Sequence, residues 1–302
     1  MRGDLTVTGD RRQETGKNNA VVSGPSFVVS NENSRLTYRS SLVFDSMAKN
    51  YDSEFTNTVL GKMLRQQVWN VALRHFKSGQ HILEINCGTG EDAIWMAKQG
   101  MFVTATDASS EMIKVAKEKL SIQDVEVKRR VSFQQKSFSE ISSVKVLDEF
   151  DGVLSNFGGI NTISEWEKLS DNLAEITKPG SKIILVPMGK WCFWEIFWFS
   201  VRFDFKKAFR RFHQPAIYKT DSGEMKIWYP TVSDLKRGFG KSFDLVSVQG
   251  LGIFLPPSYF GKWVEKFPGL FKLLGKLDEM VSGLFSPFGD HLISVFIRKG
   301  MI

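Results

Sequence analysis

The sequence is poor in the side chains that cross-link small folds or bind metals. It has two cysteines and four histidines among 302 residues, which excludes a disulfide framework and leads us to expect no dedicated metal site. No stretch reaches the roughly 18–20 uncharged apolar residues that a membrane-spanning helix needs. The first residues carry charges with no apolar stretch behind them, so we do not interpret them as a secretory signal. We therefore expect a protein of a reducing, cytoplasmic compartment.

The residues that are present are those of a folded chain with an uneven charge. Hydrophobic residues make up 42% and aromatic residues 13%, enough for the core of one large domain or two small ones. Residues 1–188 hold 23 basic and 23 acidic side chains, whereas residues 189–302 hold 17 and 10 and supply the whole net charge of +7. A basic half can contact nucleic acid, an anionic membrane or an acidic substrate, or can simply be a solvated surface.

The order of apolar and amphipathic segments predicts an α/β fold. Residues 1–35 show no periodicity and are interpreted as a flexible tail, and a helix is expected over residues 56–76. The remaining pattern predicts strands at 81–85, 102–106, 131–133, 152–154, 183–186, 243–248 and 291–297, helices at 92–98, 111–120 and 164–177, and a Pro179-Gly180 turn before the fifth strand. This alternation predicts a seven-stranded, mostly parallel, Rossmann-like sheet with helices on both faces and an antiparallel last strand.

A glycine-containing turn directly after the first predicted strand is the strongest local signal. Gly88 and Gly90 allow positive φ and let a ligand approach the backbone, and the turn leads into a helix at the edge where open α/β sheets bind ligands. Asp107 ends the second strand 19 residues after Gly88, where a carboxylate can accept both hydroxyls of a ribose. A dinucleotide fingerprint is compatible with this spacing. Glu84 argues against it, because a dinucleotide fold usually has an apolar side chain there.

Five segments resemble the class I S-adenosylmethionine-dependent methyltransferases. The run Leu-Glu-Ile-Asn-Cys-Gly-Thr-Gly at residues 83–90 is similar to motif I of that family. The other segments follow in the family's order: residues 44–52 resemble the segment that caps the cofactor, 106–112 the ribose-binding strand end, 150–157 motif IV, and 176–180 the turn before the fifth strand. The resemblance covers roughly residues 40–188 and implies S-adenosyl-L-methionine as the cofactor.

The resemblance also implies which residues bind that cofactor. They are Tyr51, Glu84, Asn86, Gly88, Gly90, Asp107, Ala108, Met112, Ser137, Phe138, Asn156 and Phe157. Asn86 departs from the family, which most often has glycine there, so its side chain either contacts the amino-acid end of the cofactor or fills space. Structural alternatives stand beside these roles: the two glycines can form a turn without a ligand, Glu84 can be a satisfied buried carboxylate, and Asp107 can cap a helix.

The block at residues 189–212 is the most unusual part of the sequence and follows the fifth predicted strand. Aromatic residues recur there at helical spacing, and four basic residues follow within residues 206–211. We interpret the block as an insertion that forms a lid over a flat or hydrophobic acceptor, a helix lying in a membrane interface, or a core helix or dimer contact. The candidates for the acceptor pocket are Trp191, Trp194, His213 and Tyr229. No catalytic residue is assigned.

These observations predict one methyltransferase domain over residues 36–302. Its first part, 36–188, is expected to bind the cofactor, and its second part, 189–302, to hold the acceptor-side insertion and the last strands. We expect methyl transfer by in-line displacement to a small aromatic, hydrophobic or lipid-like acceptor. Peripheral membrane contact is expected through residues 189–212 and 259–288, and the oligomeric state is not predicted. An RNA methyltransferase, an NAD-dependent dehydrogenase and a non-catalytic binding module remain alternatives, although the bulky apolar residues among the basic ones argue against nucleic acid.

Overall fold

The computed structural model describes residues 32–144 and 148–300, with side chains from residue 39 onward. The predicted tail, residues 1–35, lies outside the described residues except for its last four positions. Those four form the first turn of a helix that runs from Glu32 to Tyr51. The boundary predicted at residue 35 therefore falls inside this helix.

Helices and strands alternate through most of the described chain. The helices are α1 (Glu32–Tyr51), α2 (Val59–His75), α3 (Glu91–Lys98), α4 (Ser110–Ser121), α5 (Val125–Arg130), α6 (Trp166–Ile176), α7 (Phe193–Val201), α8 (Phe205–Ala208), α9 (Val232–Phe239), α10 (Gly261–Lys266) and α11 (Pro268–Val281). The strands are β1 (His81–Ile85), β2 (Phe102–Asp107), β3 (Val131–Gln135), β4 (Phe150–Ser155), β5 (Thr177–Leu185), β6 (Ala216–Thr220), β7 (Gly223–Ile227), β8 (Phe243–Leu251) and β9 (His291–Arg298).

Seven of the strands form one sheet in the order β3-β2-β1-β4-β5-β9-β8. The strands β1 to β5 pair in parallel, and β9 is antiparallel to both β5 and β8. This confirms the predicted seven-stranded, mostly parallel sheet with an antiparallel last strand. The order reverses at β1 and β4, so the carboxyl ends of these strands meet at the switch point where open α/β sheets bind ligands.

Helices cover both faces of this sheet, as predicted, and each face has its own core. On one face the buried side chains include Val68 of α2 and Ala93 of α3. On the other face they include Leu169 of α6 and Phe239 of α9. Burial of both faces explains why the strand sequences are continuous apolar runs rather than alternating patterns.

The fifth strand begins earlier than the sequence predicts. Pairing with β4 starts at Thr177, directly after α6, and the register shifts before it resumes at Lys182. Gly180 lies in the resulting bulge with a φ of +81°. The Pro179-Gly180 pair is therefore a bulge within β5 and not a turn that precedes it.

The segment between β5 and β8 is the expected aromatic insertion, and it contains a hairpin that the sequence pattern does not predict. Strands β6 and β7 pair antiparallel apart from the main sheet. Met225 and Ile227 of this hairpin, with Tyr229, form a small core against Val43 of α1. Helix α1 is thus held between the main sheet's ligand edge and the insertion.

Candidate functional site

A cleft opens at the carboxyl ends of β1, β2 and β4, beneath α1. It encloses about 690 Å³, part of it open to solvent. Ten of the twelve residues that the resemblance implies line it: Tyr51, Asn86, Gly88, Asp107, Ala108, Met112, Ser137, Phe138, Asn156 and Phe157. Phe44, the first residue of the predicted capping segment, also lines it, and the sequence analysis did not single out Ser40, Ser41, Lys136 and Thr162, which do so too. Glu84 and Gly90 do not line the cleft.

The two glycines of the turn meet different surroundings. Gly88 has a φ of +52°, and a Cβ built on it would meet nothing within 4 Å, so it faces open space in the cleft. Gly90 has a φ of +76°, and a Cβ there would lie 2.6 Å from the Phe133 ring and 2.9 Å from the Cβ of Ala116. Gly88 therefore leaves a ligand room, whereas Gly90 lets α3 pack closely against β3 and α4.

Asp107 is fixed at the end of β2 by two backbone donors. The Gly88 N–H donates to its Oδ2 at 2.9 Å, and the Ser109 N–H donates to its Oδ1 at 2.9 Å. Burial raises the pKa of Asp107, and these two donors oppose the rise. Each carboxylate oxygen can accept a further hydrogen bond, so the side chain is oriented to accept two neighbouring hydroxyls.

Glu84 lies beneath the cleft rather than in its wall. The residue is 1% exposed, and its Oε2 has no hydrogen-bond partner among the described residues. Burial raises the pKa of Glu84 well above its usual range. This position therefore suits a protonated carboxyl, or one that reaches a ligand only through an intervening group, better than a carboxylate in direct contact with a ligand.

Asn86, the residue that departs from the family pattern, ties β1 to β4. Its Oδ1 accepts from Ser155 Oγ at 2.6 Å, and its Nδ2 donates to the Asn156 carbonyl at 2.8 Å. A Cβ on Gly159 would lie only 2.2 Å from the Asn86 Cγ. Asn86 therefore fills space that is open only because Gly159 has no side chain. Asn86 also lines the cleft, so both predicted roles are compatible with its position.

A buried polar cluster supports the floor of the cleft, and the sequence analysis missed it. Asp92 pairs with Arg65, accepts from the Trp69 indole at 2.6 Å, and accepts from the Asn156 amide at 2.9 Å. The Arg65 guanidinium also lies 4.8 Å from the centre of the Phe157 ring. These contacts fix Asn156 and Phe157 at the mouth of β4.

Helix α1 and the turn after it are latched over the cleft by two aspartates. Asp45 accepts from Ser109 Oγ at 2.5 Å and from the Glu111 N–H at 3.1 Å, which caps the start of α4. Asp52 accepts from Thr89 Oγ1 at 2.6 Å and pairs with Lys119 at 2.7 Å. Burial raises the pKa of Tyr51, the last residue of α1, to about 12, so its hydroxyl stays protonated at neutral pH.

The four acceptor candidates do not line this cleft. Trp191 is exposed and its ring meets Phe212 edge-on, with the ring centres 4.7 Å apart. The Trp194 indole N–H is buried without a partner among the described residues. His213 is exposed, with Nδ1 3.3 Å from the Phe209 carbonyl. Tyr229 is 2% exposed, and none of the four residues belongs to the wall of the cleft.

Part of the basic run at residues 206–211 points inward. Arg211 pairs with Glu195 at 2.8 Å and with Asp290 at 2.5 Å, and Arg210 also pairs with Glu195. Cys192, Glu195 and Asp290 have ligand atoms within 4.8 Å of one another. Since guanidinium groups already neutralise both carboxylates, this cluster suits an internal ion-pair network rather than a metal ion.

Comparisons with known proteins agree with this geometry. A family profile described as a methyltransferase domain matches residues 82–180. Residues 82–180, about a third of the chain, are therefore similar to a methyltransferase domain. A demethylmenaquinone methyltransferase of Clavibacter sepedonicus is 31% identical over 148 residues, which are 48% of this chain and 56% of the relative.

Two further comparisons extend this similarity. A ubiquinone/menaquinone biosynthesis C-methyltransferase of Bdellovibrio bacteriovorus is 27% identical over 153 residues, 49% of this chain and 61% of the relative. The chain thus spans little more than half the length of these curated relatives. The structure of the DhpI–SAH complex matches with a TM-score of 0.53 at 14% identity, and the match covers 88% of this chain and 98% of the DhpI chain. At this identity the match supports the fold alone.

Proposed function

We propose that this methyltransferase transfers a methyl group from S-adenosylmethionine to a small, flat, hydrophobic acceptor. The observation that carries the proposal is the pair formed by Asp107 and Gly88 at the tips of β2 and β1. A fixed carboxylate with spare acceptor capacity lies beside a backbone that has no side chain in the way. This supports a ligand that offers a ribose diol to one residue and a compact amino-acid group to the other.

The residues of the cleft fit the parts of that cofactor. Asp107 would hold the ribose hydroxyls, and the backbone at Gly88 would meet the methionine part. Ala108, Met112 and Phe138 would enclose the adenine, with Ser137 at its edge. Bound there, the cofactor supplies a methyl group that its sulfonium already activates, so the chain mainly has to align the acceptor and exclude water.

The names of the relatives support a quinone-like acceptor. Both relatives named above are quinone methyltransferases by name. Because the chain covers only part of each, their acceptor enters here as part of the proposal. Asn156 and Phe157 at the mouth of β4 would lie between cofactor and acceptor, and Phe157-Gly-Gly takes the place of the Pro-Pro-Tyr motif of many amino-group methyltransferases.

The insertion supplies the remaining candidates for acceptor binding. Trp194 has a buried indole N–H without a partner among the described residues, and it stays a candidate although it does not line the cleft. Trp191 and Tyr229 stay candidates for apolar contact. His213 lies exposed on the surface, so we assign no general base to it in this conformation.

A quinone-like acceptor dissolves in lipid, so the proposal includes peripheral contact with a membrane. Within the described residues, no helix combines the length and the apolar character needed to cross a bilayer. The contact would therefore be made by the surface of residues 189–212 and 259–288. Their exposed aromatic residues support this assignment.

The test is to incubate the full chain with S-adenosylmethionine labelled at the methyl group and a short-chain demethylmenaquinol in detergent micelles. We expect a labelled methylated quinol and an equal amount of S-adenosylhomocysteine. Asp107→Asn is the matched loss-of-binding variant. Asp171→Asn is the control, because Asp171 is half-exposed and pairs with Lys241 away from the cleft.

Three results would contradict the proposal in different ways. Binding of S-adenosylmethionine without S-adenosylhomocysteine formation, with this acceptor or with any lipid fraction of a cell extract, would indicate a non-catalytic binding module. Binding of NAD in preference to S-adenosylmethionine would indicate a dehydrogenase. A labelled RNA in the same extract would point to the remaining alternative.

A further inference from the structure

Large apolar side chains are concentrated on one part of the molecular surface. Of the 25 that are exposed among the described residues, seven lie in residues 189–212 and ten in residues 259–288. Phe203, Met280 and Leu284 each have about four-fifths of their surface exposed, at 82%, 80% and 80%. Single exposed apolar residues are ordinary on a soluble surface, but a concentration of this size marks an interaction site.

The two segments meet through their aromatic rings. The centre of the Trp198 ring in α7 lies 5.5 Å from that of Phe260 and 4.8 Å from that of Trp263 in α10. Helix α10 ends at Lys266, and α11 starts at Pro268. The segments therefore form one surface, made by α7, α8, α10 and α11, which we call the aromatic face.

Helix α11 has a buried side and an exposed apolar side. Its inner side buries Phe271, Gly275 and Asp278. Its outer side exposes Leu270, Leu273, Leu277, Met280 and Leu284 at alternating intervals of three and four residues, continuing just past the end of the helix. That spacing keeps these side chains on one stripe of a helix, so the outer stripe has no partner within the described chain.

The charge of the aromatic face is strongly positive once its internal pairs are removed. Arg210 and Arg211 are bound to Glu195, and Asp278 accepts three backbone N–H bonds from residues 252–254. Lys207 pairs with Asp204 at 3.3 Å. Besides these groups and Lys206, the two segments hold six basic side chains against Glu265 and Glu279: Lys190, Arg202, Lys262, Lys266, Lys272 and Lys276.

Several of these cations lie directly over aromatic rings. The Arg202 guanidinium is 4.3 Å from the Trp198 ring centre, the Lys190 ammonium 5.2 Å from that of Phe212, and the Lys266 ammonium 5.5 Å from that of Phe267. Protein–protein interfaces are depleted in lysine. Aromatic side chains interleaved with lysine and arginine are instead typical of helices that lie in the interface of an anionic bilayer.

We infer that the aromatic face docks on an anionic phospholipid bilayer, with Phe203 and the outer stripe of α11 in the acyl boundary and the basic side chains at the headgroups. The inference rests on the proposed function only for its purpose, which is to bring a lipid-dissolved acceptor to the cleft. Binding of lipid itself depends on the aromatic face alone and can be measured without any methyl transfer.

The test is co-sedimentation of the full chain with vesicles of phosphatidylcholine alone or with 30% phosphatidylglycerol. We expect at least tenfold more bound protein on the anionic vesicles, and a decrease as salt is raised. The double variant Phe203→Glu/Met280→Glu should lose at least tenfold of this binding. Ile122→Glu is the matched control, because Ile122 is equally exposed, at 81%, but lies outside the aromatic face.

Calorimetry with S-adenosylhomocysteine separates this inference from the proposed function, since all three proteins should bind that ligand equally. Equal sedimentation of the double variant and the control, or no vesicle binding by the wild-type chain, would overturn the inference. A wild-type dimer in light scattering that the double variant converts to a monomer, without vesicle binding by either, would instead assign the face to a second copy of the chain.

Discussion

Gly88 and Gly90 lie two residues apart in one turn, but different neighbours prevent a side chain at each. Space around Gly88 is open because it faces the cleft, whereas Gly90 is enclosed by Phe133 and Ala116. A glycine pair of this kind is usually described as one motif. Here the first position leaves open space in the cleft, and the second lets a helix pack closely on its sheet.

The first prediction separates the two roles. Gly88→Ala should weaken S-adenosylhomocysteine binding at least tenfold, because the new methyl group occupies ligand space, and should cost about 1 kcal/mol of stability from its positive φ. Gly90→Ala should lower the free energy of unfolding by a further 1–3 kcal/mol, roughly the cost of overpacking. Calorimetry and urea unfolding measure the two quantities.

Gly79→Ala is the control for backbone strain in that experiment. Gly79 has a φ of +85° and nothing within 4 Å of a built Cβ, and it does not line the cleft. The division of roles would be wrong if Gly88→Ala bound the ligand as tightly as Gly79→Ala does.

Glu195 gives a second prediction, which concerns acid stability. Burial alone would raise its pKa, but Arg211 and Arg210 outweigh burial and lower the pKa of Glu195 to about 2. In the unfolded chain the group titrates near 4.5, so between these values the unfolded state binds more protons. The stabilisation is therefore complete above about pH 5 and is lost as the pH falls toward 2.

Glu195→Gln should flatten the dependence of stability on pH within that window. At pH 7 the variant should be less stable by about 3–5 kcal/mol, because two guanidinium groups remain with one buried partner fewer. Urea unfolding at several pH values measures both effects. Glu126→Gln is the control, since Glu126 is exposed and pairs with Arg129 on the surface; equal slopes for the two variants would contradict the assignment.

At the residue level, the sequence predicted the residues whose place follows from the neighbouring sequence. It missed the side chains whose position is fixed by partners far along the chain. Asp107 and Gly88 follow directly from a strand, a turn and a fixed spacing. The filling of space by Asn86 depends on Gly159, and the fixing of Asn156 depends on Asp92, 64 residues away. Neither distant partner carries a local signal, so neither could be found from spacing.

At the level of elements, α1 covers the cleft as a helix that is not part of the sheet. Its position depends on Asp45, which caps α4, and on Asp52, which binds Thr89 and Lys119. Elements that close over ligands generally belong to the less stable parts of a fold. The latch residues should therefore control how often the cleft opens.

The third prediction tests that latch. Asp45→Ala should speed amide hydrogen exchange in residues 39–51 and weaken S-adenosylhomocysteine binding severalfold, because Ser109 Oγ and the Glu111 N–H lose their acceptor. Hydrogen exchange with mass spectrometry measures the first effect and calorimetry the second. Glu54→Ala, an exposed change on the following turn, should alter neither, and similar behaviour of both variants would contradict the latch.

The elements that sequence patterns predicted well are those whose burial is uniform. Strands β1 and β4 are buried on both faces and appear as short apolar runs between glycine and polar segments. The hairpin of β6 and β7 is mostly exposed or half-buried, so its sequence lacks both an apolar run and a regular alternation. Its place against α1 is set by tertiary contacts that no local pattern contains.

Across the whole molecule, the count of charges in the sequence identifies the basic half. It overstates, however, how many of the cations in that half are accessible to a partner. The sequence places four cations in residues 206–211, yet Arg210 and Arg211 are committed to Glu195 inside the fold. A net charge by segment cannot distinguish a paired guanidinium from an exposed ammonium. The distinction matters, because only the exposed cations can interact with a phosphate-bearing surface.

The fourth prediction concerns the stability of the whole chain in the presence of ligand. A ligand that binds only the folded state stabilises it by RT ln(1 + [L]/Kd), about 2.7 kcal/mol at one hundred times Kd. For a chain of this size that should raise the Tm by roughly 4 °C. S-adenosylhomocysteine should produce this shift in scanning calorimetry, and NAD at the same concentration should produce none.

Asp107→Asn should need at least tenfold more ligand for the same shift, because it loses a charged acceptor worth about 1.5–3 kcal/mol. A Tm shift with NAD and none with S-adenosylhomocysteine would contradict the proposed cofactor and indicate a nicotinamide cofactor instead. The measurement is needed because either ligand would lie at the same strand tips.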